Sequence, residues 1–378
     1  MRVGRCRRES AVYRHRSRRQ DDPVSDARDK QEGREERQVG PFQPAWWLRG
    51  RHRQTIWNRM LRPRQQVATT RARWTTPDGD FLDLDFMDGP LGSPQLLVVH
   101  GLEGSSDRKY VRGFLGLAAE RGWRGVALNF RGCSGTPNRA PRLYHSGDTA
   151  DLDWVIGELA KRDPGAPILP VGMSLGGNVL LKWLGEEGEH VADEVAAAAA
   201  ISTPYDLAAA AEKMSRGICR LYTHFFLRTL KEKALHKAEQ YPDILDAAAI
   251  RRARNWRQYD DAATAPLHGF RDAADYWERS SSINFLDRIR RPVLLLSAKD
   301  DPFIPVATLP VEAVDRSPWL HAEFTAHGGH AGFVAGALPW RPVYWAERRA
   351  VEFLASYAPS MRRTRTASVR PGPEGPAS

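Results

Sequence analysis

Ser174 stands between two glycines, in Gly172-Met173-Ser174-Leu175-Gly176. A serine hydroxyl is a weak nucleophile at its ordinary pKa and gains reactivity only beside a base that takes its proton. The G-x-S-x-G spacing serves such a serine when a strand runs into it and a helix leaves it, because the sharp turn lifts the hydroxyl clear of the backbone. Gly172 and Gly176 would let that strand and helix approach closely, and Gly177 adds room. An inert serine in a glycine-rich junction would show the same five residues, so the elements around it and the partners after it have to decide.

On this chemistry the partners follow in the order serine, acid, histidine. The stretch "KDDPFIP" at 299–305 comes after an apolar strand-like run and offers two acids. Asp301 is preferred, since it precedes Pro302 and lies four residues before Pro305; Asp300 is second, and Asp206 in "STPYDL" third. An acid at the C-terminal end of a parallel strand is where ligand-facing residues gather. Farther on, "HGGHAGF" at 327–333 offers His330, with His327 as the alternative. A metal site built on the two histidines lacks a third ligand at usable spacing, and neither H-E-x-x-H nor a cysteine pair is present. Acyl transfer also needs donors for the oxyanion. The N–H of Leu175, just after the nucleophile, is one expected donor, and that of Leu102 in "HGLEGSS" (100–106) is the other.

The elements that must hold these residues alternate. "QQVATTRARW" reads as a strand ended by Pro77-Asp78-Gly79, and Leu82, Leu84 and Phe86 alternate with Asp83 and Asp85 as in a half-buried antiparallel strand. "QLLVVHG", "GVALNF", "PILPVGM", "VAAAAAIS", "PVLLLSA" and "HAEFTA" read as strands, the continuous apolar runs being those covered on both faces. Between them lie helical patterns, with Asp107 and Asp148 as expected caps, and "PVYWAERRAVEFLASY" is a last helix. Strand and helix in alternation, with short connections, mean a mostly parallel sheet flanked by helices. Residues 204–290 interrupt the alternation. They read as helical throughout, with Leu221, Phe225 and Leu235 at roughly helical spacing, and are expected to form an inserted cap over the sheet.

The 378-residue chain, 42% hydrophobic, is long enough for a sizeable core. No run of about 18 apolar residues occurs, as a membrane-crossing helix would need. Arg18-Arg19 is followed by acidic residues rather than an apolar stretch, which argues against a signal peptide. Cys6, Cys133 and Cys219 are too scattered for a disulfide framework and read as thiols in a reducing cytoplasm. The net charge of +10 lies mostly in the ends: residues 1–40 carry twelve basic and eight acidic residues, and 359–378 four basic and one acidic. Both ends read as disordered tails flanking a 41–358 domain. With no recognition motif beside the charge, a specific nucleic-acid partner is not expected.

These stretches together resemble a known family. "HRQT" (52–55), "HGLEGSS", "NFRGCSGTPNRAPRLYHSGDT" (129–149), "GMSLGGN" (172–178), "KDDPFIP" and "HGGHAGF" are similar to the α/β-hydrolase superfamily, and more narrowly to its YheT-like branch of esterases and lipid hydrolases, over about 41–358. The resemblance implies an α/β-hydrolase fold with a catalytic triad of Ser174, Asp301 and His330. It implies no cofactor, and a small-molecule acyl ester as substrate, of short or medium chain or akin to a monoacylglycerol or phospholipid. Some animal members carry an N-terminal membrane anchor that this chain lacks, which implies a cytoplasmic protein with at most peripheral lipid contact. In the long 129–149 stretch, Arg131, Tyr144, His145 and Asp148 are expected to brace a loop more than to line a pocket, and His52 and Gln54 to brace the N-terminal segment. A ligand-binding protein without catalysis, or a thioesterase, amidase or cofactor-free peroxidase, would use the same fold.

Overall fold

The computed structural model describes residues 39–358; the two expected tails lie outside them, apart from Val39 and Gly40. Eight strands form one sheet: β1 (Thr70–Thr75), β2 (Phe81–Met87), β3 (Gln95–Val99), β4 (Arg124–Asn129), β5 (Ile168–Met173), β6 (Ala198–Ile201), β7 (Val293–Ala298) and β8 (Leu320–Thr325). Their spatial order is β1-β2-β4-β3-β5-β6-β7-β8. β2 pairs antiparallel with β1 and β4, and every other pairing is parallel. A short ribbon, β9 (Val334–Ala335) with β10 (Val343–Tyr344), follows β8.

The helices are α1 (Arg51–Met60), α2 (Lys109–Glu120), α3 (Ala150–Arg162), α4 (Leu175–Glu187), α5 (Leu207–Met214), α6 (Cys219–Gln240), α7 (Ala247–Arg252), α8 (Trp256–Tyr259), α9 (Ala265–His268), α10 (Ala273–Ser280), α11 (Val311–Arg316) and α12 (Trp345–Tyr357). A strand's side chains alternate between faces, so an unbroken apolar run requires cover on both. Leu97 and Val99 of β3 pack into one core, with Leu180 of α4 and Val155 of α3. Leu96 and Val98 pack into a second, with Phe114 of α2 and Val351 of α12. Two helical layers thus enclose the sheet.

Between β6 and β7 the chain leaves the sheet as helices α5 to α10 and builds a third core, which includes Leu227 and Leu230 of α6 with Trp256, Tyr259 and Trp277. This core also takes in Leu143, Phe303 and Ile304, which come from loops at the C-terminal ends of β4 and β7. Farther along, Leu286 and Ile289 return to the core beneath the sheet. α6 turns Thr223, Leu227, Leu230 and Ala234 inward, whereas Leu221 and Phe225 are exposed. The helical spacing read through those two residues thus lies on the outer face of α6.

Several boundaries differ from the sequence reading. β1 begins only at Thr70, and α12 only at Trp345, after Val343 and Tyr344 have paired with β9. Asp107 and Asp148 cap no helix: Asp107 meets Arg64 and Arg112, and Asp148 is held by Arg142. A nearby guanidinium competes for a carboxylate more strongly than a backbone N–H does.

Candidate active site

Every candidate residue lies at the C-terminal edge of the parallel strands, on a loop or, for Leu175, at the start of α4. Register brings the ends together: Val99 of β3 faces Gly172 of β5, and Met173 faces Ile201 of β6. Ser174 follows β5 with φ 55° and ψ −119°, a strained conformation for a residue with a side chain, and its N–H donates to Ile201 O at 2.8 Å. α4 starts at the next residue. The glycines are steric necessities. A Cβ on Gly172 would lie 2.6 Å from Gly177 Cα, and one on Gly176 would fall against the carbonyl oxygens of Val99 and His100.

His330 comes from the loop after β8. Its Nε2 lies 2.9 Å from Ser174 Oγ, and its Nδ1 lies 2.8 Å from Asp301 Oδ2. A carboxylate only accepts, so Nδ1 carries the ring proton and Nε2 is free to accept from the serine hydroxyl. Asp301 is fully buried, and its other oxygen accepts from the N–H groups of Phe303 (2.7 Å) and Ile304 (3.2 Å). Those two bonds and the imidazole satisfy the carboxylate and fix its direction. The other candidates go elsewhere. His327 is exposed, with Nδ1 3.4 Å from Asp300. Asp300 Oδ1 accepts from Gly329 N–H at 2.9 Å, and Asp206 caps α5 by accepting from Ala209 N–H at 2.9 Å.

The loop after β3 closes over the serine: a Cβ on Gly101 would lie 3.8 Å from Ser174 Oγ. His100 is buried and neutral, its pKa pushed down to about 3 by burial. Its Nδ1 donates to Gly101 O at 2.8 Å and its Nε2 accepts from Phe130 N–H at 3.2 Å. Tyr110 Oη accepts from Gly101 N–H, and Tyr144 Oη accepts from Glu103 N–H and donates to Glu103 Oε1. Glu103 has φ 52°, and Lys233 of α6 reaches its carboxylate at 2.7 Å. Leu102 is held between these anchored residues and lines the same cavity as Ser174, Leu175 and His330.

That cavity measures about 1060 Å³ with its mouth and lies between the sheet edge and the helical insertion. Much of its wall is apolar, including Leu207, Met214, Phe226, Leu230, Trp256 and Phe303. Asp260 also lines it, in a π-helical turn (Asp260–Thr264) after α8. Burial raises the Asp260 pKa to about 7, although Thr264 Oγ1 and Trp277 Nε1 donate to its carboxylate. Among the described residues, no group of three or more His, Cys, Asp or Glu side chains could hold a metal ion.

A family model described as the alpha/beta hydrolase fold matches residues 94–337. The chain belongs to the α/β-hydrolase family. This hydrolase is 40% identical over 311 residues to YheT of Escherichia coli K12, described as a candidate esterase; the match spans 81% of this chain and 90% of that one. It is 30% identical to the phospholipase ABHD3 of Mus musculus, over 80% of this chain and 75% of that one. It is also 30% identical to a monoacylglycerol lipase of Saccharomyces cerevisiae, over 64% of this chain and 55% of that one. Among solved structures, an esterase of Pyrococcus furiosus shares the fold with a TM-score of 0.51 at 17% identity, covering 78% of this chain and 98% of that one. The hydrolase therefore sits in the YheT-like branch, on the esterase and lipase side of the family.

Several residues that hold the site were not singled out by sequence reasoning. Thr55 Oγ1 accepts from His330 N–H at 2.9 Å, Asn58 donates to Ala331 O, and Ser202 Oγ accepts from Ala331 N–H at 2.9 Å. Lys213 donates to the carbonyls of Asp301 and Ile304, at 2.7 Å each. Gln54 bonds Leu48 O and both backbone groups of Val334, so it ties the N-terminal segment to the loop after His330. His52 stacks on Tyr222, outside the cavity lining. In the 129–149 stretch the roles divide. Arg131 and Asp148 are locked in ion pairs, Arg131 with Asp78, Asp80 and Asp151. Tyr144 and His145 line the cavity. The "HRQT" signal could have pointed to Thr55, whereas nothing local marks Lys213 or Ser202.

Proposed function

We propose that the hydrolase cleaves carboxylic esters of an acyl chain, with Ser174 as nucleophile, His330 as general base and acid, and Asp301 as the group that orients the imidazole. The observation that carries this reading is the continuous chain from Asp301 Oδ2 through His330 to Ser174 Oγ, with links of 2.8 and 2.9 Å, at the wall of a mostly apolar cavity. His330 Nε2 takes the proton as Ser174 Oγ attacks the ester carbonyl. Asp301 stabilises the imidazolium without being protonated itself. The N–H groups of Leu102 and Leu175 hold the oxyanion, where loss of one donor costs about 3 kcal/mol. The imidazolium then protonates the leaving alcohol, and water, activated in turn by His330, releases the acid from the acyl-enzyme. Neither metal nor organic cofactor enters this route.

The apolar wall suits a short or medium acyl chain, and the insertion over the sheet acts as the cap that measures it. The relatives' names, phospholipase and monoacylglycerol lipase, favour a glycerol-based ester. Among the described residues no helix is long and apolar enough to cross a membrane, and we assign the hydrolase to the cytoplasm with at most peripheral contact with lipid.

The test is labelling with a fluorophosphonate probe, with the modified peptide identified by mass spectrometry, for wild type, Ser174→Ala, His330→Ala and His327→Ala. A label on Ser174 that is lost in the first two variants and kept in the third is the expected result. Folded wild-type protein that takes no label would leave a ligand-binding protein. Thioester or amide turnover well above ester turnover would reassign the substrate.

A further inference from the structure

The cavity has a second wall that the proposed reaction does not use. His145, from the 129–149 stretch, and His268, at the end of α9, meet there with ring centroids 4.4 Å apart. We propose that His145 and His268 recognise an uncharged hydroxyl-bearing part of the ester substrate.

The hydrogen bonding of the two rings supports a ligand. His145 Nδ1 accepts from Gly147 N–H at 3.1 Å, so the neutral ring carries its proton on Nε2. That N–H has no protein acceptor among the described residues, and neither ring nitrogen of His268 has a protein partner there. The pair thus offers His145 Nε2–H together with one donor and one acceptor on His268, in a largely apolar surround. Both side chains are half-buried and line the cavity, so these groups are open to a ligand that enters it. By contrast, Asp260 on the same lining already has both oxygens engaged, by Thr264 and Trp277.

The ligand's charge follows from the surroundings. Burial pushes the pKa of His145 down to about 3, with Arg142 and Lys182 adding to the fall. Burial likewise lowers His268 to about 2, with His145 and Arg142 contributing. Two neutral imidazoles donate to and accept from a hydroxyl but do not neutralise an anion. Lys233, the one cation on the described lining, is held by Glu103 at 2.7 Å. A hydroxyl suits this chemistry whether it lies on the alcohol part of the ester or on the acyl chain.

The inference rests on the ester-hydrolase reading, and its test separates the two. Values of kcat/KM are measured for glyceryl monooctanoate, methyl octanoate and methyl 8-hydroxyoctanoate, in wild type, His268→Phe and His268→Gln. Wild type is expected to favour one hydroxylated ester over methyl octanoate by about 10- to 100-fold, as a site with polar groups to satisfy does. His268→Phe should bring that ratio to within about threefold of one, and His268→Gln should retain part of it. The favoured ester identifies which side of the scissile bond carries the hydroxyl. The same ratio is read as binding in Ser174→Ala, with and without His268→Phe, by calorimetry on glyceryl monooctanoate and the two methyl esters. A binding preference that His268→Phe removes supports the site even if no ester is turned over. A wild-type protein indifferent to both hydroxyls, or a ratio unchanged by either His268 variant, overturns it.

Discussion

Asp300 and Asp301 are neighbours in the chain, and their carboxylates serve different histidine-loop positions. Asp301 Oδ2 holds the imidazole of His330 at 2.8 Å, and Asp300 Oδ1 holds the backbone N–H of Gly329 at 2.9 Å. One acid aims the ring and the other supports the loop that carries it. Asp301→Asn would present an amide to His330 Nδ1 and favour the wrong tautomer. We expect kcat on a 4-nitrophenyl ester to fall by roughly 10³- to 10⁴-fold with the fold retained. Asp300→Asn keeps an acceptor for Gly329 and should cost no more than about tenfold. Equal losses in the two variants would contradict the assignment.

Gly176 and Gly157 both sit in helices, with opposite prospects. A Cβ at Gly176 meets backbone carbonyls that cannot swing away, whereas one at Gly157 meets nothing within 4 Å. Gly176→Ala should destabilise by about 3 kcal/mol and abolish probe labelling. Gly157→Ala, in α3, should stabilise by about 0.5–1 kcal/mol, since alanine is the better helix former. Urea denaturation of both variants measures the contrast.

The buried Asp80 gives a stability that depends on pH. Burial pushes its pKa up, but the N–H groups of Arg139 and Ala140 and the Asn138 amide outweigh burial and hold it down at about 2. A carboxylate whose pKa is lower in the folded state stabilises above its unfolded value, near 4, and that contribution fades as pH falls towards 2. It amounts to about 1–2 kcal/mol after allowance for screening. Asp80→Asn should therefore lower Tm at pH 7, and the gap from wild type should narrow between about pH 4 and pH 2. A gap constant with pH would count against it.

Glu103 and Lys233 link the loop beside Ser174 to the helical insertion at 2.7 Å. Removing either partner leaves a largely desolvated charge. Lys233→Met and Glu103→Gln should each cost about 1–3 kcal/mol, below the cost for a fully buried pair because Lys233 is partly open. A double-mutant cycle should give a coupling of about 1 kcal/mol or more. Because Glu103 adjoins Leu102, Glu103→Gln should also lower kcat more than it changes KM.

The sequence by itself determined the alternation of strands and helices and the strained turn at Ser174. Those features rest on short-range sterics: continuous apolar runs force burial on both faces, and three glycines admit the close approach around Ser174. It also narrowed the acid to Asp301 over Asp300, and the base to His330 over His327, without deciding either pair. Only tertiary structure shows which member of each pair is joined to Ser174 Oγ, because neighbouring residues on a loop point apart and their partners lie on other strands. The same holds for Thr55, which supports His330 across 275 positions, and for Lys213 and Lys233, which reach from the insertion to the loops around the serine. The caps expected of Asp107 and Asp148 failed for the same physical reason. A carboxylate takes the strongest donor that the fold brings near it, and a guanidinium arriving from elsewhere in the chain outcompetes a local N–H.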